Sequence, residues 1–261
     1  MVAILQNGGE WSAGHAAGEG WLWWLSILSA TAFAALYLGL LVRAVRRGRR
    51  YLAVAELDET HRTQVAGAVA EAEKRTVGEI VPAVVERSDP HPQAGWIAGL
   101  ATLVAGLGLG AGVLPWGSPL VLLACQVGLF LAGFLAADRL PDFRRLFISE
   151  ERATATAQEQ ALQEFYSLGL HRTEAQTGVL LFVSLLERRV IVLGDAGIDG
   201  VVTAAHWEQV DDAILAGVRA GDLGGGLIRG VELCGDVLAE HFPWEEGDRN
   251  EVPDRVVVRR E

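Results

Sequence analysis

The sequence predicts an α/β fold, a three-layer α/β/α sandwich, joined to three transmembrane α-helices. Three observations lead there: long uncharged apolar runs, short β-branched runs that are apolar on both faces, and helical stripes in the segments around them. Hydrophobic residues make up 51% of the 261 residues and mean hydropathy is +0.27, too apolar for an ordinary soluble protein of this size. Acidic residues outnumber basic ones, 33 to 22, and the arginines gather beside apolar segments instead of forming a basic face, which argues against a nucleic-acid partner. The two cysteines, Cys125 and Cys234, lie far apart and form neither a disulfide framework nor a zinc motif.

The first apolar run, residues 21–42, follows a short N-terminal segment, 1–20, that carries no Lys or Arg. About twenty residues at 1.5 Å each cross a hydrocarbon core of about 30 Å, so this run predicts a spanning helix. A cleaved signal peptide is the rival reading. It lacks support because no positive charge precedes the run and an arginine cluster, Arg43 to Arg50, follows it. Residues 96–114 and 120–137 predict a helical hairpin around a Pro-Trp-Gly-Ser-Pro turn at 115–119. Arginines follow the first and third runs, so the N-terminus is expected outside and both soluble segments, 51–90 and 143–245, are expected to be cytoplasmic. Trp21, Trp23, Trp24, Trp96 and Trp116 fall at run ends, where an aromatic ring suits the interface. Gly95 and Gly99, Gly106 and Gly110, and Gly108 and Gly112 form small-xxx-small pairs, read either as an oligomer contact or as packing against the third run, the second being favoured.

Residues 51–90 and 143–245 are expected to form one discontinuous domain, with 246–261 as a C-terminal tail. Leu57, His61, Val65, Ala68, Val69 and Ala72 make a helical stripe capped by Asp58, with Glu71 and Arg75 pairing across one turn. Glu79 then opens a β-branched run whose Pro82 restricts it to an edge, a bulge or a strand start. After the hairpin, Ser149 caps a helix with Ala153, Ala157, Ala161, Phe165 and Leu168 on one face, ending at Gly169. Two apolar strands, 179–185 and 190–193, follow, and helices carrying Trp207, Val210, Ile214 and Val218, then Leu227, Val231, Cys234 and Leu238, supply cover. The glycine run 221–226 reads as a flexible link, since no Lys-Ser/Thr follows it, and the tail reads as frayed in preference to a strand-like peptide.

Ala72-Glu-Lys-Arg-Thr-Val-Gly-Glu-Ile80, Thr177-Gly-Val-Leu180 through Glu187-Arg-Arg-Val190, Asp195-Ala-Gly-Ile198, and the ending His241-Phe-Pro243, Gly247-Asp248, Asn250-Glu251 and Pro253-Asp254 resemble the TPM domain family. The resemblance spans residues 56 to 258 and is strongest to bacterial membrane proteins with a hairpin inserted in the domain. The first run is a departure from that branch. The resemblance implies an α/β/α module and two possible functions. One is a non-catalytic interaction or assembly and repair module with a membrane-protein partner. The other is a phosphatase dependent on a divalent metal.

Metal-dependent phosphate hydrolysis needs convergent carboxylates to hold a cation that activates water. Asp195 and Asp199 follow a buried strand, where two carboxylates could share calcium, magnesium or manganese, with Glu79, Asp211 or Asp212 approaching. The competing reading, that Asp195 and Asp199 cap a turn and a helix, is favoured. Nucleophilic catalysis has less support. Ser184 sits in an apolar strand, no Gly-x-Ser-x-Gly elbow exists, Cys234 is on an inner helix face, and the six histidines show no paired spacing. A transporter is disfavoured because the apolar runs carry no charge.

Overall fold

The structure, a computed structural model, describes residues 57–110 and 119–259, together with Ala32, Ala35, Tyr37, Leu38, Gly39 and Val42. The expected N-terminal segment, most of the first apolar run, its arginine cluster and the Pro-Trp-Gly-Ser turn at 115–118 lie outside the described residues. Contacts divide the chain into two units, one from residues 1–46 and 92–147, the other from 47–91 and 148–261.

In the second unit, α1 (Glu59–Glu73) starts where Asp58 accepts the His61 N–H, and buries Val65, Val69 and Ala72. The chain then enters β1 (Glu79–Val85). Helix α5 (Glu150–Ser167) is capped by Ser149 and buries Ala153, Ala157, Ala161 and Phe165; Gly169, at φ 79°, turns the chain away. Strands β2 (Gly178–Ser184) and β3 (Arg189–Gly194) follow, then the short α6 (Ala196–Asp199), α7 (Ala204–Ala220), α8 (Leu223–His241) and β4 (Val257–Arg259).

The strands make one mixed sheet in the order β3-β2-β1-β4, with β1 parallel to both β2 and β4 and β2 antiparallel to β3. All residues of β1 and β2 are buried, because helices cover both faces. On one face Ile80, Val84, Val179, Leu181 and Val183 pack with α1, α7 and α8; on the other Val81, Ala83, Val85, Leu180 and Phe182 pack with Ala157, Ala161 and Phe165 of α5. Period-two alternation thus divides each strand between two cores.

Four expectations change. Pro82 lies in an inner strand. The N–H of Glu79 donates to Thr177 on the β2 side and that of Glu86 to Arg259 on the β4 side, so alternation puts the Pro82 nitrogen on the β4 side. Pairing with β4 begins only at Ala83, so no ladder bond is lost. The tail is not frayed, because β1 would otherwise expose an edge and β4 covers it. Glu71 pairs with Lys74 at 2.5 Å, leaving Arg75 to reach Asp236 at 2.6 Å. The glycine run is a link only at Gly221 (φ 81°): Asp222 accepts the Gly225 N–H, so Leu223 to Gly226 already belong to α8. A Cβ on Gly217 would meet the Gly226 Cα at 2.4 Å on an ideal backbone, so these glycines let α7 and α8 approach closely.

In the first unit, α2 (Pro92–Gly110) and α3 (Pro119–Arg139) pack together, followed by α4 (Pro141–Arg145). Among the described residues, α3 is the one helix long and apolar enough to cross a membrane; α2 has a shorter apolar stretch, Pro92–Leu107. Gly95, Gly99 and Gly106 face Phe134, Phe130 and Leu129 of α3, so these positions serve packing within the chain. Trp96 packs on Phe130 and Phe134, each 5.6 Å between ring centres. Arg144 donates from Nε to the Ala137 carbonyl at 3.0 Å, satisfying an acceptor near the end of α3.

Candidate functional site

Asp195 follows β3 and is the N-cap of α6, its carboxylate accepting the Ala196 N–H at 2.8 Å. Its own N–H donates to the Gly178 carbonyl, and Gly178 is in register with Glu79. Topology therefore brings Asp195 and Glu79 to the same end of the sheet, with β2 between their strands. The Glu79 carboxylate points into different work. It accepts the N–H groups of Glu251 at 2.9 Å and Val252 at 3.2 Å and so anchors the tail on its way to β4. Burial raises its pKa, those two hydrogen bonds oppose the rise, and the nearby Glu251 and Asp248 carboxylates add to it. Asp199 is the last residue of α6, and its side chain lies outside what is described. Asp211 sits in α7, where burial, then Asp212 and Glu208, push its pKa up to about 6.

Around Glu79 lies a cavity of about 210 Å³ that sequence reasoning missed, lined by Glu73, Thr76, Trp244, Asp248, Asn250 and Asp254 among others. Glu73 accepts the Ile80 N–H at 2.8 Å. Its carboxyl is pushed up to about 9, chiefly by burial, with the Glu79 and Asp254 charges adding to the effect of burial. Glu73 is therefore neutral at physiological pH, and the pocket is less negative than its residue list implies. Among the described residues no three His, Cys, Asp or Glu side chains converge to hold a metal ion.

A second buried polar cluster lies at the opposite end of β1 and β2. Glu187, in the turn between β2 and β3, is fully buried and accepts from the Ser88 N–H at 3.0 Å, from the Ser184 hydroxyl, and from His91 Nε2 at 2.6 Å. Burial would raise its pKa, but the His91 bond, then Ser184 and Ser88, outweigh burial and hold the carboxyl below its usual value. His91 and Arg188 adopt φ of 45° and 56° to complete the arrangement. Serine, histidine and carboxylate are all present, yet this is no catalytic triad. The carboxylate stands between hydroxyl and imidazole, so the imidazole cannot take the serine proton. Full burial of His91 and Glu187 also leaves no room for a substrate. The sequence signal was the charged Glu187 set between two apolar strands, a position where a carboxylate needs dedicated partners. Cys234 is likewise buried, which pushes its thiol up and disfavours the reactive thiolate.

A family model described as the TPM domain matches residues 144–237, less than half of the chain. The first and last of the motifs noted above, 72–80 and 241–254, fall outside that match. No curated protein matches the chain. Among solved structures, the NMR structure of BA42 protein from the psychrophilic bacterium Bizionia argentinensis is similar at 20% sequence identity, with a TM-score of 0.49, covering 77% of this chain and 94% of that one.

Proposed function

We propose that the protein is a membrane-anchored TPM-domain module that binds or helps assemble and repair other membrane proteins, without turnover of its own. The observation that carries this reading is what the candidate carboxylates do. Asp195 holds a helix start, Glu79 and Glu73 hold backbone N–H groups of the tail and of β1, and Glu187 holds a turn. Each bonds the backbone of the domain, and the second carboxylate oxygen of Asp195 is buried without a hydrogen-bond partner. The match at 144–237 supports the module, and the α3 helix supports the anchor. In this reading the runs 21–42, 96–114 and 120–137 all span an inner membrane, with the N-terminus outside and the domain cytoplasmic. Affinity purification of the full chain from crosslinked membranes tests it: a stoichiometric membrane-protein partner retained by Asp195→Ala is expected, and recovery of the chain alone would contradict it.

The second reading is a divalent-metal-dependent phosphatase, favoured by the carboxylate-lined cavity at the end of the sheet that also carries Asp195. Calcium, magnesium or manganese would be the cofactor. Isothermal titration of the full chain separates the readings, because a metal site there requires heat that Asp195→Ala or Glu79→Gln abolishes.

A further inference from the structure

The helices α7 and α8 run antiparallel through the Gly217 and Gly226 contact, so the start of one lies beside the end of the other. His206, in the first turn of α7, and His241, the last residue of α8, meet there with ring centres 6.1 Å apart and planes at 57°. Nothing in their sequence separation marks them as a pair. We infer that His206 and His241 form a two-imidazole site for a divalent transition-metal ion of the zinc, nickel or copper class, with water completing the coordination.

The spacing fits the chemistry. A ring nitrogen lies roughly 1.1 Å from its ring centre and a zinc–nitrogen bond is about 2.0–2.1 Å, so two rings sharing one ion have centres no more than about 6.3 Å apart. The observed separation lies just inside that bound, where the nitrogen–metal–nitrogen angle is roughly 150°, and closing the ring centres by about 1 Å through rotation of the two side chains brings the nitrogens to the tetrahedral angle. The hydrogen bonds point the same way. His206 Nδ1 is 3.2 Å from the Thr203 hydroxyl; with the ring donating, its Nε2 carries a free lone pair. That is the outer contact a ligating histidine uses to fix its tautomer. His241 Nε2 is enclosed by the protein and has no hydrogen-bond partner. A buried nitrogen without a partner is costly, and an ion shared with His206 would satisfy it. Imidazole selects zinc, nickel and copper over calcium or magnesium, so this site is distinct in chemistry from the carboxylate cavity.

The test uses the detergent-purified full chain with any affinity tag removed. Zinc and nickel titrated by calorimetry are expected to bind at one ion per chain. His206→Ala and His241→Ala should each weaken binding more than about tenfold, Thr203→Val should weaken it about tenfold through the tautomer, and His171→Ala should not change it. The double variant should lose little beyond either single one, because removing one ring already breaks the chelate. Copper bound to the wild-type chain should show two nitrogen couplings by electron paramagnetic resonance, a readout independent of whether any variant folds. Absence of saturable binding in the wild type, unchanged affinity in a folded single variant, or one nitrogen coupling would overturn the assignment.

Discussion

Glu187 shows how a single residue can be fixed by partners that its own neighbourhood does not announce. Its apolar flanks were legible as strands, but the histidine that meets it lies 96 residues earlier, in a segment that reads as a linker. Asp58 and Ser149, by contrast, are caps that bond three residues ahead, and such local chemistry is visible in sequence. Removing a partner from a buried charged cluster is costly, so Glu187→Ala is expected to lower unfolding stability by about 3–5 kcal/mol in urea titration, with Glu187→Gln milder. Glu73 makes an opposite prediction in pH. Its folded pKa, about 9, lies above the ordinary carboxyl value of 4.5, so its contribution to stability is full below that value and is lost as pH rises toward the folded one. Melting temperatures between pH 5 and 9 should therefore fall more steeply for wild type than for Glu73→Gln, which keeps the acceptor for Ile80 without the charge.

At the level of elements, the helix stripes and strand runs expected in the α/β unit match the helices and strands described there, because burial on one face or two imposes a period. What periodicity could not supply was pairing. Val256-Val-Val258 is too short to stand out, and it becomes a strand because β1 offers an edge and Glu79 delivers the tail to it. Arg259 adds bonds to Glu164 at 3.1 and 3.2 Å. Deleting residues 256–261 should accelerate amide exchange at Val84 and Glu86 while leaving β2 protected; unchanged exchange would show the strand to be dispensable. In the hairpin, Gly133 lies against Thr102 and the Ala98 carbonyl, with no room for a Cβ. Gly133→Leu should separate α2 from α3, measured as lost crosslinking between cysteines introduced at Gly99 and Phe130.

On the scale of the whole molecule, the sheet joins a strand before the hairpin, β1, to strands after it, β2 and β4. Arginine placement predicts that this sheet is cytoplasmic. A reporter fused after Glu261 should be active only when the C-terminus is inside, and activity confined to the periplasm would reverse the assignment. The carboxylates Asp195 and Glu79 were legible as candidates and do share one end of the sheet, yet which groups their oxygens bind depends on the tail and on α6, which sequence spacing does not encode. The role proposed for these carboxylates is to hold the domain together without hydrolysis. Its most direct test is hydrolysis of a generic aryl phosphate by the detergent-purified full chain, with calcium, magnesium or manganese and then with chelator, comparing wild type with Asp195→Ala. No metal-dependent turnover is expected in either protein. Turnover that requires the metal and disappears in Asp195→Ala would contradict it and make the chain a phosphatase.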